Sequence, residues 1–590
     1  MNRPDVNRAM SWLVVGTLGA FEAIYGRTQY LGDWISYLNV SRSVSALEWK
    51  GVFDPMWNPG YPVLIALIRA IFPHTVEGEW NAINLLNWLI FLMAYGAWRY
   101  LIRDALEFYD PSLAVLQDRS FFLWVSSCAF LSCALCLDRA SSVCPDLLVT
   151  TLFILAVAQV LSVVSKPSAV RAIGLGVILG AGYWAKSVFL SLDAVFVLVL
   201  LLLWWSKKLS LRLLSISLTL FLFIVVPYVV GISISYGKLT LGASGALNYA
   251  FHVNHMPHWT NWQGGPPVFG APLNPTRQLI SDLPVFEFGT PFKTTYPPYN
   301  NISYWYRGFS GFYSPKLHAI AIARNCYFLV GIVKRNPFLP MLLLALLIIV
   351  MKREWRTCLC AKAKAFWPMF LPAGLGVIIY LGVHVEDRYI SPFCLVASLL
   401  PLLPLLNAAS KSRQLLATFL FILYTGGAAT ELAVCHASTV RSVSQQDDHS
   451  RDSQWKLATA LSSYGLQGGD AVALIDERYP PFRCHWAYIS GLRIVAEFGS
   501  LPWTRDPWDH TKFEHIEAEQ ADQDYSFVFW KKLTAERRAE VIEKFRLSGA
   551  RAVLALSGPD VPDPGWQEIV GTDAWIYRFR TDAEVLSARN

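Results

Sequence analysis

Long apolar segments recur along the chain, and they constrain its fold more than any other feature. Each is close to the roughly 20 residues that a helix needs to cross a hydrocarbon core of about 30 Å. Hydrophobic residues make up 54% of the 590-residue chain and charged residues only 16%. This composition indicates a polytopic membrane protein and excludes an ordinary soluble one.

The apolar segments predict eleven membrane crossings. They lie at residues 11–27, 80–98, 120–137, 146–164, 171–186, 188–206, 211–235, 337–351, 366–383, 389–407 and 414–434. The expected fold class is therefore mainly α, a membrane helix bundle of about eleven transmembrane helices.

Basic residues predict the orientation, because Lys and Arg in short loops stay on the cytoplasmic side of a membrane. With a cytoplasmic N-terminus, one face collects Arg3, Arg8, Arg99, Arg103, Lys166, Arg171, Lys207, Lys208, Arg212, Lys352, Arg353, Arg356, Lys411 and Arg413. The bilayer is then the inner, or cell, membrane of a bacterium. The net charge of +7 belongs to these loops, so we expect no nucleic-acid partner.

The change in composition near residue 438 predicts two domains. Residues 1–438 form the transmembrane domain, with external loops at 28–79 and 237–336. Residues 439–590 are charged and polar, with the strand-like runs "DAVALID" and "RAVLALSG" and the helix-like "KKLTAERRAEVIEKFRLSG" between them. They predict a small extracytoplasmic α/β domain.

Ionisable residues at the outer ends of the predicted helices form the candidate site. Asp33 follows the first crossing, Asp146 begins the fourth, Lys186 stands between the fifth and sixth, and Arg388 lies at the start of the tenth. A single acid at a helix end is usually an idle surface carboxylate. Ionisable groups at membrane depth are costly, however, and are functional by default. We therefore expect these four side chains to line one outward-facing cavity.

Two acids and two cations on one face fit the transfer of a sugar from a polyprenyl phosphate to a hydroxyl group. Lys186 and Arg388 are predicted to hold the phosphate, since its charge must be compensated as it leaves. Asp33 is predicted to accept the proton of the attacking hydroxyl, in a single displacement with inversion. Asp146 is predicted to share that proton, to orient the acceptor or to hold a divalent cation. The predicted supporting residues are Asp138, Arg139, Glu386, Asp387 and Tyr389.

At these residues the sequence resembles the GT-C glycosyltransferases, especially the family 39-like group of protein O-mannosyltransferases and lipid A aminoarabinose transferases. The resemblance spans roughly residues 10–410. It rests on the acid after the first helix, on "NPGYPVLIAL" at 58–67, on Arg139 with Pro145, Asp146 and Leu147, and on Arg388 with Tyr389 and Pro392. It implies a periplasmic active site, a polyprenyl-phosphate sugar donor, a cell-envelope acceptor and a first-loop Asp as base. Many relatives carry an acidic pair in that loop, whereas here Trp34 follows Asp33.

Two functions of other classes compete with the transferase. A transporter or flippase of lipid-linked glycans would show repeated halves and charges near the membrane midplane, and the sequence has neither. A non-catalytic polysaccharide-assembly subunit would give no reason for four loops to bring acids and cations together.

Three histidines and four cysteines are expected to be structural. His252, His255 and His258 have H-x-x-H-x-x-H spacing, but the proline between the last two and the loop context favour ordinary loop histidines over a metal site. Cys133 and Cys136 form a C-x-x-C within an apolar segment, where inert thiols are common. A further pair, both predicted to be extracytoplasmic, would permit a disulfide; these are Cys435 and Cys484.

Overall fold

A computed structural model of the protein describes most of the chain. The described residues are 3–25, 32–73, 75–109, 120–256, 267–289, 295–297, 306–406, 410–444, 449–476, 484–498, 530, 533–556 and 564–579. They fall into two compact units. The first comprises Met1–Thr28, Val40–Val253 and Tyr313–Gln446, and the second Gln29–Asn39, Asn254–Phe312 and Asp447–Asn590.

Helices follow the apolar segments. Those before the central loop are α1 (Arg3–Tyr25), α2 (Gly32–Ser45), α3 (Trp49–Val52), α4 (Gly60–Arg69), α5 (Val76–Tyr109), α6 (Ser120–Leu131), α7 (Asp146–Ser165), α8 (Ala169–Ala185), α9 (Phe189–Trp205), α10 (Leu211–Tyr236) and α11 (Ser244–His252). After it come α12 (Pro315–Arg335), α13 (Phe338–Met351), α14 (Arg353–Ala365), α15 (Trp367–Leu381), α16 (Asp387–Ala397) and α17 (Ser410–Ser444). A π-helix, Ser132–Leu137, extends α6, and a 3-10 helix, Leu400–Leu406, follows α16.

Several of these helices are long and apolar enough to cross a membrane. Within the described part of the chain, six qualify alone: Glu77–Phe108, Asp146–Ser165, Leu211–Tyr236, Pro315–Arg335, Asp387–Leu406 and Ser412–Ala437. Helices α14 and α15, bent by 88°, make a seventh if they form one span. Five shorter apolar helices of 10–17 residues accompany them. The protein is thus a mainly helical, multi-pass membrane protein, and the number of eleven crossings stays a prediction.

Helix α12 lies within the segment 237–336, which the sequence analysis treated as one outer loop. Its Asn325 side chain donates a hydrogen bond to the carbonyl of Leu381, at 2.9 Å, and Arg335 lies 3.5 Å from Asp387. These contacts are ten residues, or about 15 Å, apart along α12. Both contacts reach the ends of the short connection between α15 and α16, so α12 packs against that connection.

The basic loops of the first unit meet in pairs. Lys166 forms an ion pair with Glu107, which joins the loop after α7 to the end of α5. Trp355 donates its indole N–H to Ser412 at 2.9 Å, which joins the start of α14 to the start of α17. Loops predicted to share the cytoplasmic side are therefore neighbours, while the orientation itself stays a prediction.

The second unit contains a seven-stranded sheet in the order β1-β2-β4-β3-β5-β7-β6. Its strands are β1 (Arg277–Ile280), β2 (Val285–Glu287), β3 (Ala471–Ile475), β4 (Arg493–Phe498), β5 (Ala552–Ala555), β6 (Trp566–Glu568) and β7 (Trp575–Arg578). Helices α18 (His449–Leu461), α19 (His485–Ser490) and α20 (Ala535–Leu547) accompany them. Strand β3 pairs in parallel with β4 and β5, as expected where helices connect successive strands.

Two strands of this sheet come from the central loop and not from residues 439–590. Strand β2 pairs antiparallel with β4, with Val285 opposite Phe498, and β1 pairs with β2. The hairpin covers an edge of β4 that would otherwise expose unpaired N–H and C=O groups. The sheet therefore contains strands from both sides of residue 438. The domain boundary predicted there stays a prediction.

Two exposed cysteines allow a test of the topology. Cys326 lies on α12 and Cys360 on α14, and both thiols are exposed. If α12 lies on the outer surface, a membrane-impermeant maleimide should modify Cys326 in intact spheroplasts and Cys360 only after the membrane is disrupted. The variants Cys326→Ser and Cys360→Ser assign each label. Labelling of Cys360 alone in intact spheroplasts would reverse the orientation, and protection of Cys326 under both conditions would place α12 inside the bilayer.

Candidate active site

The segment that begins at Asn58 packs against the C-terminal end of α8. The Asn58 amide donates a hydrogen bond to the carbonyl of Tyr183 at 2.7 Å. Gly60 lies so close that a Cβ there would be 2.7 Å from the carbonyl oxygen of Trp184. Only a residue without a side chain permits this approach. The "NPG" element therefore fixes the backbone two residues before Lys186.

The loop leading into this segment is held by buried polar groups. Asp54 accepts hydrogen bonds from the backbone N–H groups of Met56 and Trp57, at 2.7 and 3.3 Å. Burial raises the pKa of Asp54 to about 6 despite these bonds. Tyr61, on α4, donates its hydroxyl to Asn87 at 2.8 Å. The first loop is thus tied to α5 as well as to α8.

Asp146, Lys186 and Arg388 form one buried ionic cluster. The Lys186 ammonium lies 2.5 Å from one carboxylate oxygen of Asp146, and an Arg388 guanidinium nitrogen lies 3.5 Å from the other. The Asp146 side chain is 4% exposed, and those of Lys186 and Arg388 are 20% and 17% exposed. The three residues come from the start of α7, the end of α8 and the start of α16. The structure thus brings together three of the four residues predicted from the sequence.

Arg388 has further partners on its own connection. Its Nε donates to Glu386 at 2.7 Å, and its Nη2 lies 3.3 Å from the Tyr389 hydroxyl. His384 contacts the other oxygen of Glu386 at 3.2 Å. Burial alone would raise the pKa of Glu386, but the hydrogen bond to His384 and the charge of Arg388 hold it below its ordinary value. Glu386 therefore stays ionised and holds the guanidinium in place.

Two stacked tyrosines support the cations. The Lys186 ammonium lies 4.4 Å from the centroid of the Tyr389 ring, and the Arg388 guanidinium carbon lies 5.1 Å from it. Tyr380 stacks on the Tyr389 ring, with the two centroids 5.0 Å apart and an angle of 16° between the ring planes. Such rings attract cations through their electron-rich faces. Tyr389 was predicted as a supporting residue, whereas Tyr380, on the preceding helix, carried no signal in the sequence.

The remaining supporting residues differ in their surroundings. Asp138 is buried and accepts a hydrogen bond from Thr150 at 2.7 Å. Burial and the charge of Asp146 raise the pKa of Asp138 well above its usual range. Arg139 is exposed and has φ of 60°, which is uncommon for a residue with a side chain. Asp387 faces Arg335 of α12 and not Arg388.

Asp33 belongs to the second unit. It lies in the first turn of α2 and is half-buried. Asp146, Lys186 and Arg388 all belong to the first unit. That Asp33 shares their cavity therefore stays a prediction.

One of the three spaced histidines joins the surroundings of the cluster. The His252 ring stacks on His384, with centroids 3.9 Å apart and an angle of 4°. No group of three metal-ligating side chains within the described ranges includes His252 or His255. His258 lies outside those ranges. His252 therefore supports the ring that contacts Glu386.

The cluster can bind an anion more readily than a proton or a metal ion. Asp146 and the more exposed Glu386 balance the charges of the two cations, and the N–H donors that these contacts leave over fit a phosphate. Asp146 faces a cation with each oxygen, so a divalent cation there would meet two positive charges. The same contacts make Asp146 a weak proton acceptor, since protonation would break both ion pairs.

Comparison with known proteins bears on the fold. No protein-family model matches the chain, and no curated protein matches it either. The structure of ArnT from Cupriavidus metallidurans bound to undecaprenyl phosphate matches over 96% of this chain and 97% of that one, with 12% identity and a TM-score of 0.50. The structure of the same ArnT in the apo state matches over 96% of this chain and 98% of that one, with 12% identity and a TM-score of 0.48. A third structure is that of the archaeal oligosaccharyltransferase AglB from Archaeoglobus fulgidus in complex with an inhibitory peptide and a dolichol-phosphate. It matches over 92% of this chain and 69% of that one, with 10% identity and a TM-score of 0.46.

The match to the lipid-bound ArnT structure shows a shared fold over almost the whole chain. The resemblance to GT-C glycosyltransferases that was drawn from the sequence is therefore confirmed for the fold.

Replacing Gly60 should disturb the end of α8. In Gly60→Ala the new methyl group must displace the Trp184 backbone, and overpacking of this kind costs about 1–3 kcal/mol. Thermal unfolding of the purified protein in detergent should therefore begin at a lower temperature. Gly245→Ala is the matched control, because a Cβ there meets nothing within 4 Å. Equal melting temperatures for the two variants would show that Gly60 does not need its close approach.

Proposed function

We propose that the protein is an integral membrane glycosyltransferase. It transfers a hexosyl or pentosyl group from a polyprenyl-phosphate-linked donor to a lipid, glycan or protein of the cell envelope, on the extracytoplasmic face. The observation that carries this proposal is the buried cluster in which Lys186 and Arg388 share the single carboxylate of Asp146. The fold shared with an ArnT structure bound to undecaprenyl phosphate supports it.

Lys186 and Arg388 hold the donor phosphate. Lys has three N–H donors and Arg has five. Lys186 directs its ammonium at Asp146, and Arg388 uses its Nε on Glu386, so each keeps donors for a phosphate oxygen. Tyr389 lies against both cations and limits where the phosphate can sit. Their charges also stabilise the phosphate as it leaves.

Transfer proceeds in one displacement. The acceptor oxygen forms a bond to the anomeric carbon of the sugar while the bond from that carbon to the phosphate oxygen breaks. The polyprenyl phosphate leaves with the electron pair, and Asp33 accepts the proton of the acceptor hydroxyl. Asp33 is chosen because it follows the first helix, as in the GT-C resemblance. Asp146 balances the charge of the two cations and keeps them in position before the donor binds.

The placement of the charges favours a transferase over a flippase. Asp146 is the first residue of α7, Lys186 follows the last residue of α8, and Arg388 is the second residue of α16. All three therefore stand at helix ends. Transporters place the groups that bind their substrate near the membrane midplane, between broken helices.

The roles of Asp33 and Arg388 are separable by kinetics. Asp33→Asn keeps the shape of the side chain but removes the base, so transfer should fall about 10²–10⁴-fold with donor affinity nearly unchanged. Arg388→Gln removes a charged phosphate contact, so it should weaken donor binding first. The assay uses purified protein, a polyprenyl-phosphate sugar and a cell-envelope acceptor extract.

The matched control is Asp282→Asn, since Asp282 is exposed and pairs with Arg537 in the second unit. Undiminished transfer by Asp33→Asn would show that Asp33 is not the base. If the parent protein forms no glycosidic bond with any donor, the transferase proposal fails and a flippase or a binding subunit takes its place.

A further inference from the structure

A second cluster of reactive side chains plays no part in the proposed transfer. Cys136, Cys435 and His436 each offer a ligand atom, and these atoms all lie within 4.8 Å of one another. Cys136 is in the π-helix and is buried, while the other two lie side by side on α17. A tetrahedral zinc ion holds two thiolate sulfurs about 3.8 Å apart, so only small movements would complete such a site.

A buried carboxylate fixes the orientation of His436, the histidine of this cluster. Its Nδ1 lies 3.1 Å from one carboxylate oxygen of Glu22, on α1. The other oxygen of Glu22 accepts a hydrogen bond from Ser141 at 2.7 Å, and Glu22 is buried. With Nδ1 directed at the carboxylate, Nε2 is the nitrogen left for a metal ion. A carboxylate that fixes a histidine in this way is the usual second partner of a metal-bound imidazole.

The backbone around Cys136 departs from a regular helix. Residues Ser132–Leu137 form a π-helix, and such turns are frequent at functional sites. The Ser391 hydroxyl and the backbone N–H of Asp138 both donate to the carbonyl of Cys133, each at 3.0 Å. The widened turn is therefore stabilised by a neighbouring helix. It carries Cys136 beside Cys435, while Cys133 of the same C-x-x-C stays outside the group.

We propose that Cys136, Cys435 and His436 bind a zinc-class divalent cation, with Glu22 orienting the histidine and the fourth position open to a water molecule. Two thiolates neutralise the charge of the ion, and the imidazole adds none, so the site suits a poorly solvated environment. Two thiol protons leave when the ion binds. No electron transfer is involved.

The ion would connect elements that are distant in sequence. It would tie the π-helix to α17 directly and to α1 through Glu22. The π-helix leads into the loop that ends at Asp146, so the ion would also fix one border of the ionic cluster. Its binding should therefore stabilise the folded chain whether or not the protein transfers sugar.

A disulfide between Cys136 and Cys435 is the competing use of the same sulfur atoms. It would explain their proximity but would leave the ordered pair of His436 and Glu22 without a purpose. The structure holds both cysteines as free thiols. Cys435 belongs to the first unit and Cys484 to the second, and the disulfide that the sequence permitted between them stays a prediction.

The test measures the metal content of the full-length protein, purified in detergent without chelators. After incubation with zinc chloride and desalting, mass spectrometry of the metal should find one zinc per chain. Cys435→Ser and His436→Gln should abolish it, and Glu22→Gln should weaken zinc affinity about 10–100-fold. The matched control is Cys360→Ser, because this exposed thiol lies outside the cluster and should leave the zinc content unchanged.

Cobalt substitution of the parent protein provides a second readout that needs no variant to fold. A thiolate-bound tetrahedral cobalt ion should give a charge-transfer band and intense visible absorption, and chelation should lower the melting temperature. The proposal fails if the cobalt spectrum shows no thiolate band. It also fails if non-reducing peptide mapping finds Cys136 disulfide-bonded to Cys435, or if zinc remains at parent levels in the cysteine and histidine variants.

Discussion

The Asp146 carboxylate holds the candidate site together. Lys186 and Arg388 are both largely removed from water, and each would be costly to bury without a counter-charge. Asp146 supplies it for both and so draws the ends of α7, α8 and α16 to one place. Breaking a buried ion pair by removing one partner costs about 3–5 kcal/mol, because the other charge is left uncompensated. The position of three helices therefore depends on one side chain.

The same arrangement explains why the site suits a phosphate. Glu386, the second carboxylate beside Arg388, is 38% exposed, so water screens its charge more than that of the two cations. An incoming phosphate can accept hydrogen bonds from both cations without displacing Asp146. A carboxylate committed to two cations is a poor base, so the proton of an acceptor must go elsewhere. Under the proposed function, the proton goes to Asp33 and the phosphate to the two cations.

The sequence predicts the ionic cluster well, because the cost of charge near a membrane makes each member conspicuous. Asp146, Lys186 and Arg388 interrupt apolar sequence, and the structure brings them together. Helix α12 was missed because its basic residues made it resemble a loop. The β1–β2 hairpin was missed because its pairing with β4 joins segments far apart in the chain.

Contacts between apolar helices explain the other omissions. Tyr380 and Cys435 look like ordinary members of membrane helices, and only the packing of α15 and α17 gives them their neighbours. The C-x-x-C spacing suggested that Cys133 and Cys136 act alike, but the π-helix directs them to different surroundings. Sequence spacing assumes a regular helix, and it fails where the helix widens.

The central claim is that Lys186 and Arg388 bind the phosphate of a polyprenyl carrier. The most direct test is an electron cryo-microscopy structure of the protein with undecaprenyl phosphate. The account predicts that the phosphate lies within about 3 Å of the Lys186 ammonium and of the Arg388 guanidinium, with Asp146 still between them. A phosphate bound elsewhere, with the cluster unchanged and no lipid beside it, would contradict the account.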